Sequence, residues 1–158
     1  MKPIKILNSI VTNVMKDKVF VDSNIWIYLF ASDDNLKNER ARNFITDNTA
    51  KGSILVISYQ VINEVGSVLK TKKKFSEDKI QFVVDTMLDL CVVQDFSREI
   101  IIKASKLRDK MFISYWDSII IAAAIESGCQ SLTSEDLQSG QKIQGVTVIN
   151  IFKSSVVL

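Results

Sequence analysis

The sequence predicts an α/β domain with a largely parallel sheet and helices on both faces. Short strand-like runs alternate with amphipathic helical patterns along the chain, and the strand-like runs are rich in β-branched residues. This alternation is typical of parallel strands joined by crossover helices. The chain has 158 residues, one proline, no repeat and no Gly/Ser-rich linker, which indicates one domain without an internal boundary.

Five short runs are the predicted strands. In chain order they are KVFV from Lys18, SILVIS from Ser53, CVVQ from Cys91, QSLT from Gln130 and VTVIN from Val146. The segments between them carry apolar residues at helical spacing, for example over residues 61–69, 80–88 and 100–107. The run after Asp117 is apolar nearly all round, which predicts a buried helix.

The first seventeen residues lie before the first predicted strand, so we treat 1–17 as an extension and 18–158 as the domain. The extension has one apolar stripe at helical spacing, which predicts an amphipathic helix docked on the domain or on a second subunit. The stripe consists of Ile6, Leu7, Ile10, Val11 and Val14.

Composition excludes several kinds of site. The chain has no histidine, so a Ser-His-Asp triad, a His-bearing zinc site and a His general base are excluded. Cys91 and Cys129 are far apart and form no C-x-x-C pattern, which fits a reduced cytoplasmic protein. The longest apolar run, from Ile119, is far shorter than the ~18–20 residues of a membrane span, so we expect a soluble protein. The net charge of +2 does not identify a ligand class.

Four acidic residues are candidates for a site at the carboxyl ends of the strands, where open α/β sheets bind ligands. Asp22 follows a strand but is also a good helix N-cap. Glu64 lies at the border of a buried helical stripe and is alternatively a surface residue. Asp117 follows Ser114 at capping-box spacing, and Asp136 is alternatively a solvated loop residue.

Four segments in order resemble the acidic motifs of PIN-domain ribonucleases, especially the VapC-type toxins of bacterial and archaeal toxin-antitoxin pairs. They are VFVDSNIWIYLF, ISYQVINEV, ISYWDSIIIAAAIESGC and LTSEDLQSG. The resemblance covers Lys18 to Phe152 and implies a PIN-like three-layer α/β/α domain with a central, mostly parallel five-stranded sheet. It also implies cleavage of RNA that leaves a 5′-phosphate and a 3′-hydroxyl.

Carried over residue by residue, the resemblance assigns roles to named side chains. The implied catalytic, metal-binding carboxylates are Asp22, Glu64, Asp117 and Asp136. Asn24 and Ser134 are implied supporting polar groups, and Glu135 is the alternative to its neighbour Asp136.

The chemistry of such a cluster agrees with this assignment. Carboxylates ~5 Å apart repel by about 3 kcal/mol per pair at an effective dielectric of ~20, so four of them need a cation to stay ionised. Oxygen-only ligands favour Mg²⁺ or Mn²⁺. The sequence leaves open whether one or two ions act.

RNA binding would need positive charge near the carboxylates. The candidates are Lys70, Lys72, Lys73, Lys74, Arg40 and Arg42. A lysine run at a helix C-terminus alternatively only complements the helix dipole. Tyr115 and Trp116 are expected in the core, with base stacking as the alternative.

The resemblance also implies an antitoxin partner, an amphipathic segment of which docks into a groove, and a homodimer. Two other classes stay open: a PIN-like module that binds RNA or protein without cleaving, and a receiver-like or small-ligand α/β domain. Metal-dependent cleavage distinguishes the first alternative, and phosphorylation distinguishes the second.

Overall fold

The structure is a computed structural model that describes residues 15–153. The apolar stripe of the N-terminal extension therefore lies outside the described residues. Residues 15–17, which are described, belong to no helix or strand.

The described part of the chain contains six helices and six strands. They are β1 (Lys18–Val21), α1 (Ser23–Ala31), α2 (Asn35–Lys51), β2 (Ile54–Ser58), α3 (Tyr59–Thr71), α4 (Glu77–Leu90), β3 (Cys91–Gln94), α5 (Arg98–Lys110), α6 (Tyr115–Glu126), β4 (Ser131–Thr133), β5 (Lys142–Ile143) and β6 (Val146–Ile149). The five predicted strands are all present, and the predicted α/β class is confirmed. No helix among residues 15–153 is long and apolar enough to cross a membrane.

The strands form one sheet in the order β3-β2-β1-β4-β6-β5. All neighbours pair in parallel except β5 and β6. Phe20 and Val21 are adjacent on β1 and both are fully buried, so both faces of the sheet are covered, because successive side chains of a strand point to opposite faces. Helix α6 is buried at every residue from Ser118 to Ala124, as its apolar sequence predicts.

The order of the strands creates a switch point beside β1. The chain moves from β1 through β2 to β3 on one side, and β4 and β6 lie on the other side. In open α/β sheets the crevice for a ligand lies at such a point, beyond the carboxyl ends of the strands. Here those ends are Val21 of β1 and Thr133 of β4, which are register partners.

The sheet has one strand more than predicted. β5 is a two-residue antiparallel strand joined to β6 by Gln144 and Gly145, both with positive φ, which is the backbone of a tight hairpin turn. Two residues are too few to produce a strand periodicity, so the sequence pattern did not reveal this strand.

The expectation that Tyr115 and Trp116 are core residues was wrong. Their exposed fractions are 53% and 65%, and the two rings make an edge-to-face contact 5.3 Å apart. Burial of α6 begins only at Ser118, because the first turn of the helix lies outside the packed part of the domain.

Candidate active site

The four predicted carboxylates lie on the helices and loops that follow the strands or, for Asp117, begin before β4. Asp22 directly follows β1, and Asp136 lies in the loop after β4. Glu64 is on α3, the helix that follows β2 without a loop, and Asp117 is in the first turn of α6. The backbone N–H of Asp22 donates to the Thr133 carbonyl at 3.0 Å, which holds the two strand ends together.

Asp22 is buried, with an exposed fraction of 5%. It is the N-cap of α1, and its Oδ1 accepts a hydrogen bond from the Ser23 backbone N–H at 2.7 Å. Its Oδ2 accepts from the Ser134 hydroxyl at 2.7 Å. The capping interpretation and the site interpretation of Asp22 are therefore compatible, because the two carboxylate oxygens have different partners.

Burial raises the pKa of Asp22 from 3.8 to about 6. Removal from water is the largest cause, and the hydrogen bonds from Ser134 and Ser23 oppose it by stabilising the charged form. The negative charges of Glu64 and Asp136 raise the pKa further. The structure thus brings these two carboxylates near enough to Asp22 to repel it.

A depression of about 460 Å³ lies over this cluster, and we call it the carboxylate crevice. The lining includes Asn24, Tyr28, Glu64, Lys72, Glu135 and Asp136. Glu64 and Asp136 are exposed, and the Glu64 carboxylate has no hydrogen bond or ion pair with any residue in the range 15–153.

Asp117 lies in an adjoining depression of about 430 Å³ that also contains Asp136. The N-cap of α6 is Ser114, whose hydroxyl accepts from the Asp117 backbone N–H at 3.1 Å. The Asp117 carboxylate accepts no hydrogen bond from another described residue, so the reciprocal half of a capping box is not formed. Helix capping therefore does not explain this carboxylate.

Asn24 and Ser134 contact the acidic residues, as expected of supporting groups. The Asn24 side-chain amide donates to Asp136 Oδ2 at 3.3 Å. Ser134 is buried, donates to Asp22, and accepts from the Asp136 backbone N–H at 3.2 Å. The Asn24 side-chain oxygen is buried and has no partner among residues 15–153, so it is available to accept a hydrogen bond at the site.

The donor set matches a hard divalent cation in chemistry, because it consists of carboxylate oxygens around one buried carboxylate. In the arrangement shown, no group of three or more acidic or thiol side chains among residues 15–153 lies close enough together to hold a metal ion. Glu64 and Asp117 could turn toward an ion without breaking a hydrogen bond to another described residue. The residues present therefore fit a metal in the type of donor atom.

Two of the six predicted basic residues, Lys72 and Lys73, line the carboxylate crevice. Lys73 is also 3.6 Å from Asp33. Lys70 pairs instead with Glu77 at 2.5 Å.

The remaining three predicted basic residues, Lys74, Arg40 and Arg42, do not line the carboxylate crevice. Lys74 has a positive φ of 58° at the end of the helix. Arg40 donates to the Phe152 carbonyl, and Arg42 donates to Asn38 on its own helix.

A protein-family model named "PIN domain" matches residues 19–139, which include all four carboxylates. The chain belongs to the PIN domain family. PIN domains include ribonucleases, and the receiver-like alternative no longer applies.

Solved structures similar to this PIN domain include three toxin-antitoxin proteins. A Klebsiella pneumoniae toxin-antitoxin complex matches at 20% identity and a TM-score of 0.65, covering 86% of this chain and 99% of that one. A DNA-bound VapBC from Salmonella typhimurium matches at 16% identity and a TM-score of 0.64, covering 85% of this chain and 98% of that one.

The Mycobacterium tuberculosis toxin VapC20 is described as cleaving the sarcin-ricin loop. It matches this PIN domain at 18% identity and a TM-score of 0.56, covering 72% of this chain and 86% of that one. At these identities the similarity establishes the fold. No curated protein matches the sequence.

The sequence did not reveal two residues of this PIN domain that contact a loop of the crevice. Tyr28 and Lys37 contact Glu135, on the loop that carries Asp136. Tyr28 is four residues after Asn24, so the helical spacing placed both on one face of α1, and this was the available signal. Lys37 lies on α2 and contacts Glu135, which is nearly a hundred residues away in sequence, so no local pattern indicated this contact.

Proposed function

We propose that this PIN domain is a metal-dependent endoribonuclease and the toxin of a toxin-antitoxin pair. The observation that carries the proposal is the buried Asp22 carboxylate, which is destabilised by burial and by the charges of Glu64 and Asp136 at the carboxyl ends of the central strands. A fold that keeps such a carboxylate with no basic partner among residues 15–153 gains most from a bound cation.

We propose Mg²⁺ or Mn²⁺ as the cation, held by Asp22, Glu64, Asp117 and Asp136. When bound, the metal would place positive charge beside the scissile phosphate and favour ionisation of the attacking water. The general divalent-metal dependence of PIN domains supports this proposal.

The protein residues prepare this site before RNA arrives. Ser134 and the Ser23 N–H hold the Asp22 carboxylate in one orientation through both of its oxygens. Asn24 holds Asp136 through its side-chain amide. These hydrogen bonds fix the donor atoms and reduce the conformational freedom that would be lost when an ion or phosphate binds.

Lys72 and Lys73 are the residues proposed to contact the RNA backbone beyond the reacting phosphate. Both line the crevice that contains Glu64 and Asp136. Contacts of this kind release counterions and make RNA binding dependent on salt, without reading the base sequence.

We propose that the chain forms a homodimer through an apolar groove beside the crevice. The groove has a volume of about 650 Å³. Glu64 lines both the groove and the carboxylate crevice. Its rim carries the exposed aromatic side chains of Tyr59, Phe96 and Trp116. Contiguous exposed apolar surface of this kind is characteristic of protein interfaces.

We further propose an antitoxin partner that blocks cleavage in the cytoplasm. The toxin-antitoxin complexes among the similar structures support this part of the proposal. Co-expression with the product of the neighbouring gene should yield a complex in which RNA cleavage is suppressed.

The test of the proposed activity is cleavage of total RNA by purified protein after chelation and after return of Mn²⁺. Cleavage should stop on chelation, resume with Mn²⁺ and leave 5′-phosphate ends. Sequencing the fragments would identify the target RNA. RNA binding without cleavage under all metal conditions would instead favour the inactive binding module.

A further inference from the structure

Lys37 on α2 contacts two residues beside the carboxylate crevice. Its ammonium donates to the Tyr28 hydroxyl at 2.9 Å and lies 4.5 Å from the centre of the Tyr28 ring. It also forms an ion pair with Glu135 Oε1. The Tyr28 hydroxyl donates to the other oxygen, Glu135 Oε2. Both oxygens of the Glu135 carboxylate are therefore engaged by α1 and α2.

These contacts hold the Glu135 carboxylate against α1 and α2, on the wall of the carboxylate crevice. Glu64 and Asp136 raise the pKa of Asp22, whereas Glu135 is not among the causes of the shift. The pKa of Lys37 is raised, chiefly by its hydrogen bond to Glu135, so Lys37 stays charged at neutral pH. The two adjacent acidic residues of the loop thus face different surroundings.

The backbone of the same loop is held on both sides of Glu135. Ser134 before it bonds to Asp22, and Asp136 after it accepts from Asn24. The Glu135 carbonyl accepts from the Asn150 side chain at 3.2 Å. The Phe152 ring packs edge-on against Tyr28 with centroids 4.9 Å apart.

We propose that Lys37, acting with Tyr28, is a positioning residue that holds Glu135 out of the metal site and thereby directs Asp136 into it. The proposal rests on the proposed function and assigns the last acidic position to Asp136 and not to Glu135. Lys37 touches neither Asp22 nor Asp136 and acts through the loop.

The test is the affinity of the metal-free protein for Mn²⁺. It is measured in a titration that follows the electron paramagnetic resonance signal of free Mn²⁺. Lys37→Met removes a positive charge and leaves Glu135 negative beside the site, so simple electrostatics predicts tighter binding. The proposed positioning role predicts weaker binding instead. The affinity of Lys37→Met for Mn²⁺ should be about 10-fold lower than that of wild type, as is typical when a residue supporting a metal ligand is lost. Lys37→Arg should recover most of the affinity.

The Lys103–Glu126 pair supplies a matched control. Its side chains are 26% and 31% exposed, against 30% and 26% for Lys37 and Glu135, and it lies outside the crevice. Lys103→Met should leave Mn²⁺ affinity unchanged, and similar melting temperatures of the two variants would exclude global unfolding as the cause.

Glu135→Gln and Asp136→Asn separate the two assignments of the last ligand. Gln at 135 can still accept from Tyr28 or Lys37, so Glu135→Gln should change Mn²⁺ affinity much less than Asp136→Asn does. Unchanged or tighter binding by Lys37→Met, or equal losses in the two acidic variants, would overturn the positioning role. Wild-type protein that binds no Mn²⁺ would overturn the proposed function itself.

Discussion

The Asp22 side chain caps α1 and also lies among the acidic residues of the crevice. Its folded-state pKa of about 6 exceeds the usual value of 3.8. The folded protein therefore binds this proton more tightly than the unfolded chain does, and the contribution of Asp22 to the stability of the metal-free protein falls as the pH rises from about 4 to about 6. The shift corresponds to a cost of about 3 kcal/mol above pH 6.

Asp22→Asn should remove this pH dependence. Without metal, the variant should be more stable than wild type at pH 7, because the cost of the buried charge is removed. An altered hydrogen bond should reduce this gain by about 1 kcal/mol, and at pH 4 there should be no gain. Urea unfolding at the two pH values in the presence of chelator measures the difference. A loss of about 0.5–2 kcal/mol at both pH values would mean that Asp22 is only a cap.

Asp117→Asn should separate metal binding from helix stability. The Asp117 carboxylate accepts no hydrogen bond from another described residue, so the metal-free variant should be as stable as wild type. Stabilisation by Mn²⁺, followed as a shift in melting temperature, should be lost together with RNA cleavage.

Ser114→Ala is the matched control for Asp117→Asn, because Ser114 provides the cap of the same helix. It should lose about 0.5–2 kcal/mol of stability and keep the shift induced by Mn²⁺. The reverse pattern in the two variants would assign Asp117 a purely structural role.

At the scale of elements, α3 connects the proposed metal site to the proposed path of the RNA. Its middle carries Glu64, and the segment at its end carries Lys72 and Lys73, all on the wall of the crevice. Two helical turns separate the acidic and basic groups, so one rigid element sets the distance between them.

Lys72→Ala should weaken RNA binding and lower the slope of log affinity against log salt by about 0.7, the value for one contact to a single-stranded backbone. Binding is measured in chelator to prevent cleavage. Lys51→Ala is the control, since Lys51 lies before the amino end of β2, whereas the crevice lies at the carboxyl ends of the strands. Equal slopes for Lys72→Ala and wild type would mean that Lys72 does not contact the RNA and is only a solvated residue at the end of the helix.

The strands and the buried helices were predictable because each follows a local pattern. The apolar run of α6 is buried from Ser118 to Ala124, and the five predicted runs all form strands. The exposure of Trp116 was not predictable, because an exposed apolar residue in the first turn of a helix has the same local pattern as one in the core.

At the scale of the whole molecule, the sequence predicted the approach of Glu64 and Asp136 to Asp22 but not the hydrogen bonds of these carboxylates. The proximity of Glu64 and Asp136 to Asp22 follows from parallel strands that end at one edge of the sheet. The contact of Lys37 with Glu135 joins residues 98 positions apart, and no spacing rule reports it.

The proposed homodimer predicts that Trp116→Lys shifts the protein from dimer to monomer in sedimentation measurements over a range of concentrations. A charge in the groove would have to be desolvated on association. Phe82→Lys is the matched control, because Phe82 is 66% exposed against 65% for Trp116 and lies outside the groove. A monomeric wild type would contradict the dimer and leave the metal site unaffected.

The central claim is that the acidic residues at the switch point hold a divalent ion. Its most direct test is anomalous diffraction from crystals of the protein soaked with Mn²⁺. We predict one or two anomalous peaks in the carboxylate crevice, with Asp22 and at least two of Glu64, Asp117 and Asp136 as ligands at about 2.1 Å. A crevice without a peak at saturating Mn²⁺, or a peak that the Asp22 carboxylate does not contact, would contradict the account.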